Sequence, residues 1–299
     1  MSDEIELKLA LSSEGPALLV DHPLLRTLTS RTVALGNQYY DTADSALRSR
    51  RVALRVRRQG ERRLQTLKSA AESHGGLSSR GEWEWSIDDA ACNAAGLDLD
   101  GLGELDHPAL SGLDLETLRP VFTTDFERRL WHYRDDRCDI EIALDQGGIH
   151  VGAATLPICE LELELKRGDP ARLGTLADAL CAPTDGAGEA LPARPANHSK
   201  ASRASRLASG WPEPTIPPVD SVDTLIDAID TWQDSRSPAW LANAEAQCQR
   251  LVQRWTRDGD APCRGAGERI LADLRRGVAP WRGQDWLTLR QRAGSETDR

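Results

Sequence analysis

The chain opens with MSDEIELKLA, in which Glu4, Glu6 and Lys8 alternate with Ile5, Leu7 and Leu9. Alternation at period two predicts a β-strand with one apolar and one charged face. The same device recurs along the first two thirds of the chain. Strands are expected at Glu4–Leu9, Gln38–Tyr40, Val52–Arg58, Arg63–Lys68, Gly81–Ile87, Phe126–Tyr133, Cys138–Asp145, Gly148–Val151 and Ile158–Lys166. Helical spacing appears near Ala17–Leu28 and Pro170–Leu180. The pattern reads as an α+β domain: an antiparallel sheet or barrel with helices on its apolar side.

The period changes after GWPEPTIPPVD, residues 210–220, whose prolines predict a stiff linker. Beyond it Val222, Leu225, Ile226, Ile229 and Trp232 follow helical spacing, as do Trp240, Leu241, Ala244, Cys248, Leu251, Val252 and Trp255. A third helix is expected over Glu268–Arg276 and a short fourth around Trp286. The expected organisation is therefore a β-rich domain over residues 1–208, a Pro-rich linker over 209–220 and a small helical module over 221–292.

Composition narrows the function classes. A net charge of −10 argues against a general nucleic-acid or membrane-surface binder. No apolar run approaches a membrane span, and the opening residues lack a basic segment followed by an apolar one. The six cysteines are scattered without CxxC or metal-ligand spacing, so reduced thiols and a cytoplasmic location are expected. The histidines show no paired ligand spacing, and Ser199-Lys200, read as adjacent strand positions, would point to opposite faces.

The charges on the strands are sorted by sign. Glu4 and Glu6 share a face; Arg55 and Arg57 share another; Lys68 closes its strand. Glu82 and Glu84 lie opposite Trp83 and Trp85, and Glu141 and Asp145 lie opposite Ile142 and Leu144. ELELEL adds Glu160, Glu162 and Glu164. On one strand such a row is usually a solvated face. Repeated rows of single sign must repel or surround something. If the sheet closes, the rows line a tunnel, where desolvated charges are costly unless paired. A polyanion with divalent metal satisfies both signs, with carboxylates binding Mg²⁺ or Mn²⁺ and arginine or lysine neutralising phosphate.

The segments that carry these charges resemble the CYTH superfamily, the triphosphate tunnel metalloenzymes. EIELKL resembles its ExExK signature. YYDT (Tyr39–Thr42), ALRVR (Ala53–Arg57), TLK (Thr66–Lys68), RGEWE (Arg80–Glu84), FERRLW (Phe126–Trp131), EIALDQG (Glu141–Gly147), CELELEL (Cys159–Leu165) and SKASR (Ser199–Arg203) follow in the family's order. Within the family the chain is most similar to bacterial inorganic triphosphatases. The resemblance implies an eight-stranded antiparallel barrel whose tunnel binds a linear triphosphate, with a Mg²⁺ cofactor or Mn²⁺ in its place.

By position the resemblance assigns Glu4, Glu6, Glu162 and Glu164 to metal binding, joined by Asp145. It assigns Lys8, Arg55, Arg57, Lys68, Arg128 and Lys200 to phosphate, and Glu82 to the tunnel wall. Glu4, Glu6 and Lys8 stand nearest the chemistry. Arg128 is chosen over Arg129 because the motif places its arginine two residues after Phe126. Glu160 is in phase with the metal pair but is expected near the tunnel mouth. The implied reaction is metal-dependent hydrolysis of inorganic tripolyphosphate to diphosphate and phosphate. The alternatives on the same barrel are a class IV-type adenylate cyclase, a thiamine triphosphatase and a non-catalytic polyphosphate-binding module. In this family a histidine-rich helical CHAD domain often follows the barrel. The segment after the linker has no histidine, so it reads as a truncated or divergent relative of that domain or as an unrelated helical cap.

Overall fold

The computed structural model describes residues 2–69, 72–183 and 190–296. Its strands are β1 (Ser2–Leu11), β2 (Ser30–Asp41), β3 (Val52–Gln59), β4 (Arg62–Ser69), β5 (Glu72–His74), β6 (Leu77–Ser86), β7 (Arg119–Arg134), β8 (Asp139–Val151), β9 (Ala154–Arg167) and β10 (Ala193–Pro195). The helices are α1 (Gly15–Val20), α2 (Pro23–Arg26), α3 (Ala46–Ser49), α4 (Leu99–Gly103), α5 (Ala171–Cys181), α6 (Lys200–Ser209), α7 (Val222–Ser235), α8 (Pro238–Arg257), α9 (Ala261–Arg275) and α10 (Gly283–Glu296).

Hydrogen bonds run in the order β1-β9-β8-β7-β2-β3-β4-β6, and β6 returns to β1, so eight antiparallel strands close into a barrel. The short strands β5 and β10 pair with β6 and β1 and lie outside the ring. Closure removes every sheet edge among the eight and turns one face of each strand inward.

The apolar outer face packs in layers. Leu7, Leu9, Leu161 and Leu163 meet Leu173, Leu176 and Leu180 of α5 and Leu19 of α1. Across the barrel, Leu54, Val56 and Leu67 meet Leu97, Leu102, Leu110 and Leu118 from the 88–118 connection. That connection forms α4 and short 3₁₀ turns. Trp83 and Trp85 face this outer layer, and the Trp85 indole donates to Asp98 at 2.9 Å.

Four expectations need correction. The helix expected over Ala17–Leu28 is two short ones, because Pro23 cannot supply the backbone N–H of a continuing helix and His22 before it is extended. The expected strands Cys138–Asp145 and Gly148–Val151 are one continuous strand, β8, which runs through Gly147 and Gly148. Those glycines do not break the strand. A Cβ on Gly147 would lie 2.1 Å from the Asp125 carbonyl oxygen, so β7 can approach only a residue without one. The strand expected over Gln38–Tyr40 spans Ser30–Asp41, because its first half pairs in register with β7 although its own alternation is weak. The helix expected from Glu268 starts at Ala261, after Asp260 accepts a hydrogen bond from the Cys263 amide.

Helices α7 to α10 bury their own core, including Leu225, Ile229, Cys248, Leu251, Trp255, Ile270 and Trp286. Ser221 and Thr224 form a reciprocal capping box at the start of α7. Helix α10 also reaches the barrel: Leu287 joins the layer around α5, and Gln291 donates to Asp178 at 2.8 Å. Cys138, Cys159, Cys181 and Cys248 carry free thiols. Among the described residues no helix is long and apolar enough to cross a membrane.

Candidate active site

The inward face of the barrel encloses a cavity of about 870 Å³. Strand register decides what meets inside it. Glu6 lies opposite Glu164 and Lys8 opposite Glu162 across β1 and β9. Glu141 lies opposite Glu164 across β8 and β9. Arg55 lies opposite Tyr39, Lys68 opposite Glu82 and Arg128 opposite Asp145. All twelve residues assigned to the site by resemblance therefore sit on the barrel interior or at its mouth, and all but Asp145 line the cavity. Asp145 is fully buried just behind Arg128.

The charges settle into two groups. In the first, Glu4 accepts from Lys68 at 2.8 Å and from Arg80 at 2.7 Å. Arg80 continues to Glu6 at 3.0 Å, and Lys68 to Glu82 at 3.1 Å. In the second, Arg128 bridges Asp145 at 2.7 Å and Glu162 at 2.5 Å. The Lys200 ammonium sits among Asp145 at 2.8 Å, Glu162 at 2.9 Å and Glu160. Lys200 is not on a strand. It is the first residue of α6, with Ser199 as its N-cap, so the helix presents its ammonium to the barrel interior.

Not every charge is matched. Among the described residues, neither Lys8 nor Arg57 has a carboxylate within 4.0 Å. Lys8 donates only to the His198 carbonyl, at 2.7 Å, and Arg57 to the Asn37 side chain, at 3.0 Å. The Arg55 Nε is buried without a partner. Tyr39, stacked on Phe122 with ring centroids 4.3 Å apart, leans toward this side. Against burial that would raise its phenol, Arg55 and Lys200 pull it below its ordinary value.

The same imbalance shows in proton affinity. Burial lowers Arg57 to about 10, helped by Arg55 and Arg128. Burial pushes the Glu6 carboxyl up, and its neighbours Glu162 and Glu4 add to the rise despite Arg80. Glu164 is raised in the same way by burial, Glu4 and Glu141. Glu4 behaves oppositely: burial would raise it, but Lys68 and Arg80 outweigh that and hold it at about 2. Glu162 is also held well below the usual range, because Lys200 and Arg128 outweigh its burial.

Several interior residues escaped the sequence reading. Arg80, which clamps Glu4 and Glu6, belongs to RGEWE but is not among the residues that the resemblance assigns to the site. Its alternation with Glu82 and Glu84 on β6 is the signal that would have found it. Glu84 itself accepts from Thr66 at 2.9 Å. Glu160 is only 4% exposed and belongs to the carboxylate group around Lys200, rather than standing apart at the mouth. Arg128 enters the interior while Arg129 turns outward over the Trp131 ring.

The donor set suits a divalent cation. Asp145, Glu160 and Glu162 bring carboxylate oxygens within 4.8 Å of one another. Glu6 and Glu164, in register and both raised by burial and then by like charge, supply further hard oxygens. Such crowding is what a metal ion relieves.

Comparison with known proteins agrees with this geometry. Residues 2–187 match the CYTH domain model. The chain is 36% identical over 175 residues to a curated inorganic triphosphatase of Haemophilus influenzae, covering 56% of this chain and 47% of that protein. It thus spans about half the length of that curated relative. A solved structure from Hippeastrum, described as an adenylyl cyclase candidate with a dominant triphosphatase activity, aligns with a TM-score of 0.53 at 21% identity. That alignment covers 69% of this chain and 96% of the other, and supports the fold. With its closed barrel and the family match over more than half its length, this chain belongs to the CYTH domain family.

Proposed function

We propose that the protein is a metal-dependent triphosphatase that hydrolyses inorganic tripolyphosphate to diphosphate and phosphate. One observation carries this reading: the cavity is unbalanced in both signs at once. Among the described residues Lys8 and Arg57 have no carboxylate within 4.0 Å and the Arg55 Nε has no hydrogen-bond partner, while Glu6 is crowded by Glu162 and Glu4. A triphosphate with a divalent cation fills both deficits. The Haemophilus influenzae relative is named for this activity, which fits the proposal.

Glu4, Glu6, Glu162 and Glu164, with Asp145, would hold the metal, and Mg²⁺ is the expected ion, with Mn²⁺ as a substitute. When bound, it supplies Lewis-acid charge to phosphate oxygens. The chain's own residues do the rest. Lys8, Arg55, Arg57 and Lys68 grip the phosphate chain from β1, β3 and β4, while Arg128 and Lys200 neutralise it from β7 and α6. Phosphoryl transfer needs little beyond positioning and charge neutralisation, and these cations offset the charge that moves onto the leaving phosphate. The Glu4/Glu6 pair orients the attacking water. Glu82 keeps Lys68 and Arg55 in place, at 3.1 and 3.5 Å.

Phosphate release from tripolyphosphate, ATP and thiamine triphosphate, each with Mg²⁺, Mn²⁺ or a chelator, tests this. Metal-dependent turnover with tripolyphosphate far ahead is expected. ATP turnover yielding cyclic AMP would replace the proposal with the cyclase, and metal-independent binding without turnover would replace it with a binding module.

A further inference from the structure

Helix α7 carries Asp223, Asp227, Asp230 and Asp234 at spacings of four, three and four, which is one helix face. That face is turned only partly to solvent: Asp230 is buried and the Asp234 side chain nearly so, while the Asp227 side chain is half exposed. Asp223 accepts from the Gly75 amide at 2.5 Å, Asp227 from the Asn197 side chain at 3.1 Å, and Asp234 from Arg203 through two contacts of 2.8 Å. Asp230, 5% exposed, pairs with Arg194 and accepts from the backbone amides of Asn197 at 2.9 Å and His198 at 3.1 Å.

Apart from the one to Gly75, these contacts all land on residues 194–203, the stretch that carries the cavity cation Lys200. Next along the backbone from the amides gripped by Asp230, the His198 carbonyl accepts from the Lys8 ammonium at 2.7 Å. The Lys8 carbonyl accepts from the Ala196 amide at 3.2 Å, and the Lys8 amide donates to Gly76 at 2.9 Å. Gly76 in turn donates to Asn197 at 3.0 Å. Gly76 has φ +81°, and a Cβ there would meet the Lys8 oxygen at 2.5 Å, so the packing around Lys8 is close. Two residues after His198, Lys200 begins α6, which α7 holds through Asp234–Arg203 and Thr231–Arg206.

We infer that Asp230 is a positioning residue of the tunnel: by clamping the backbone amides of Asn197 and His198 it fixes the His198 carbonyl that sets where the Lys8 ammonium stands, so the helical segment after the linker completes the phosphate site. This inference rests on the tunnel being a triphosphate site. A purely structural role would not need this arrangement, because buried ionised pairs stabilise folds poorly and the apolar contact of α10 with the α5 layer already joins the two regions. Hydrogen bonds to a charged group with fixed geometry place atoms well, and phosphate binding is sensitive to where a cation stands.

The test uses the full chain with Mg²⁺ and inorganic tripolyphosphate. Asp230→Asn keeps the shape and removes the charge. KM should rise about tenfold, with kcat changed less than about threefold. Calorimetric Kd for tripolyphosphate should weaken in parallel. In a Lys8→Ala background the same substitution should change Kd less than about twofold, because the group it positions is gone. Unchanged KM in Asp230→Asn, or an equal loss in both backgrounds, overturns the inference. Should Asp230→Asn not fold, Asp227→Asn, which loosens only the Asn197 side chain, is measured against the same criteria with a smaller expected rise. Absence of tripolyphosphate turnover in the wild type overturns the triphosphatase reading and this inference with it. Wild-type turnover with an unaltered variant overturns this inference alone.

Discussion

Leu163 and Glu164 are neighbours on β9, yet they belong to opposite worlds. Leu163 is 0% exposed in the apolar layer beneath α5, whereas Glu164 turns into the cavity, raised by its own burial and by Glu4 and Glu141. One face of the barrel wall removes carbon from water and stabilises the fold. The other withdraws like charges from water and brings them together, which opposes folding. A wall built this way implies that its inner face is kept for a ligand and its outer face for stability.

Substituting the two neighbours sharpens the contrast. Glu164→Gln relieves repulsion while removing a proposed metal donor, so kcat/KM for tripolyphosphate should fall roughly 10³-fold while the melting temperature holds or rises. Leu163→Ala should do the reverse, costing about 3 kcal/mol of stability in urea unfolding with little change in kcat of the folded fraction. Large loss of stability in Glu164→Gln would break the distinction.

A smaller effect is expected from pH. His198 is 7% exposed, and burial lowers its ring to about 4, with Arg206 and Lys8 assisting and Asp230 and Asp234 opposing. Below its ordinary value of 6.5 the unfolded chain takes up a proton that the folded chain refuses. Its contribution is therefore intact above that value and lost as pH falls toward 4. About 2 kcal/mol of stability should disappear by pH 5 through this group, and His198→Asn should flatten that part of the unfolding profile.

Much of the barrel was legible because alternation reports the two faces directly. Where both faces are informative, as in EIELKL, VALRVR and ELELEL, strand and inward face follow together. Legibility failed where tertiary pairing outweighed local pattern. The first half of β2 has little alternation and is held by β7, and β8 continues through glycines because β7 crowds them. Lys200 enters the interior from a helix cap, which no strand periodicity could place. Arg80 shares the alternating row of Glu82 and Glu84, but a cation next to two carboxylates on a strand reads equally well as a surface ion pair. The aspartates of α7 gain a role only through the 194–198 segment that packs against them, a contact that helical spacing does not report.

The central claim is that the inner face is a composite site for a metal and a phosphate chain. Crystals grown or soaked with Mn²⁺ and tripolyphosphate, measured for anomalous scattering, address it directly. The account predicts a manganese peak within bonding distance of carboxylates from both β1 and β9, with phosphate density against Lys8, Arg55 and Arg57. Manganese bound only on the outer surface, with the cavity holding neither metal nor phosphate, would contradict it.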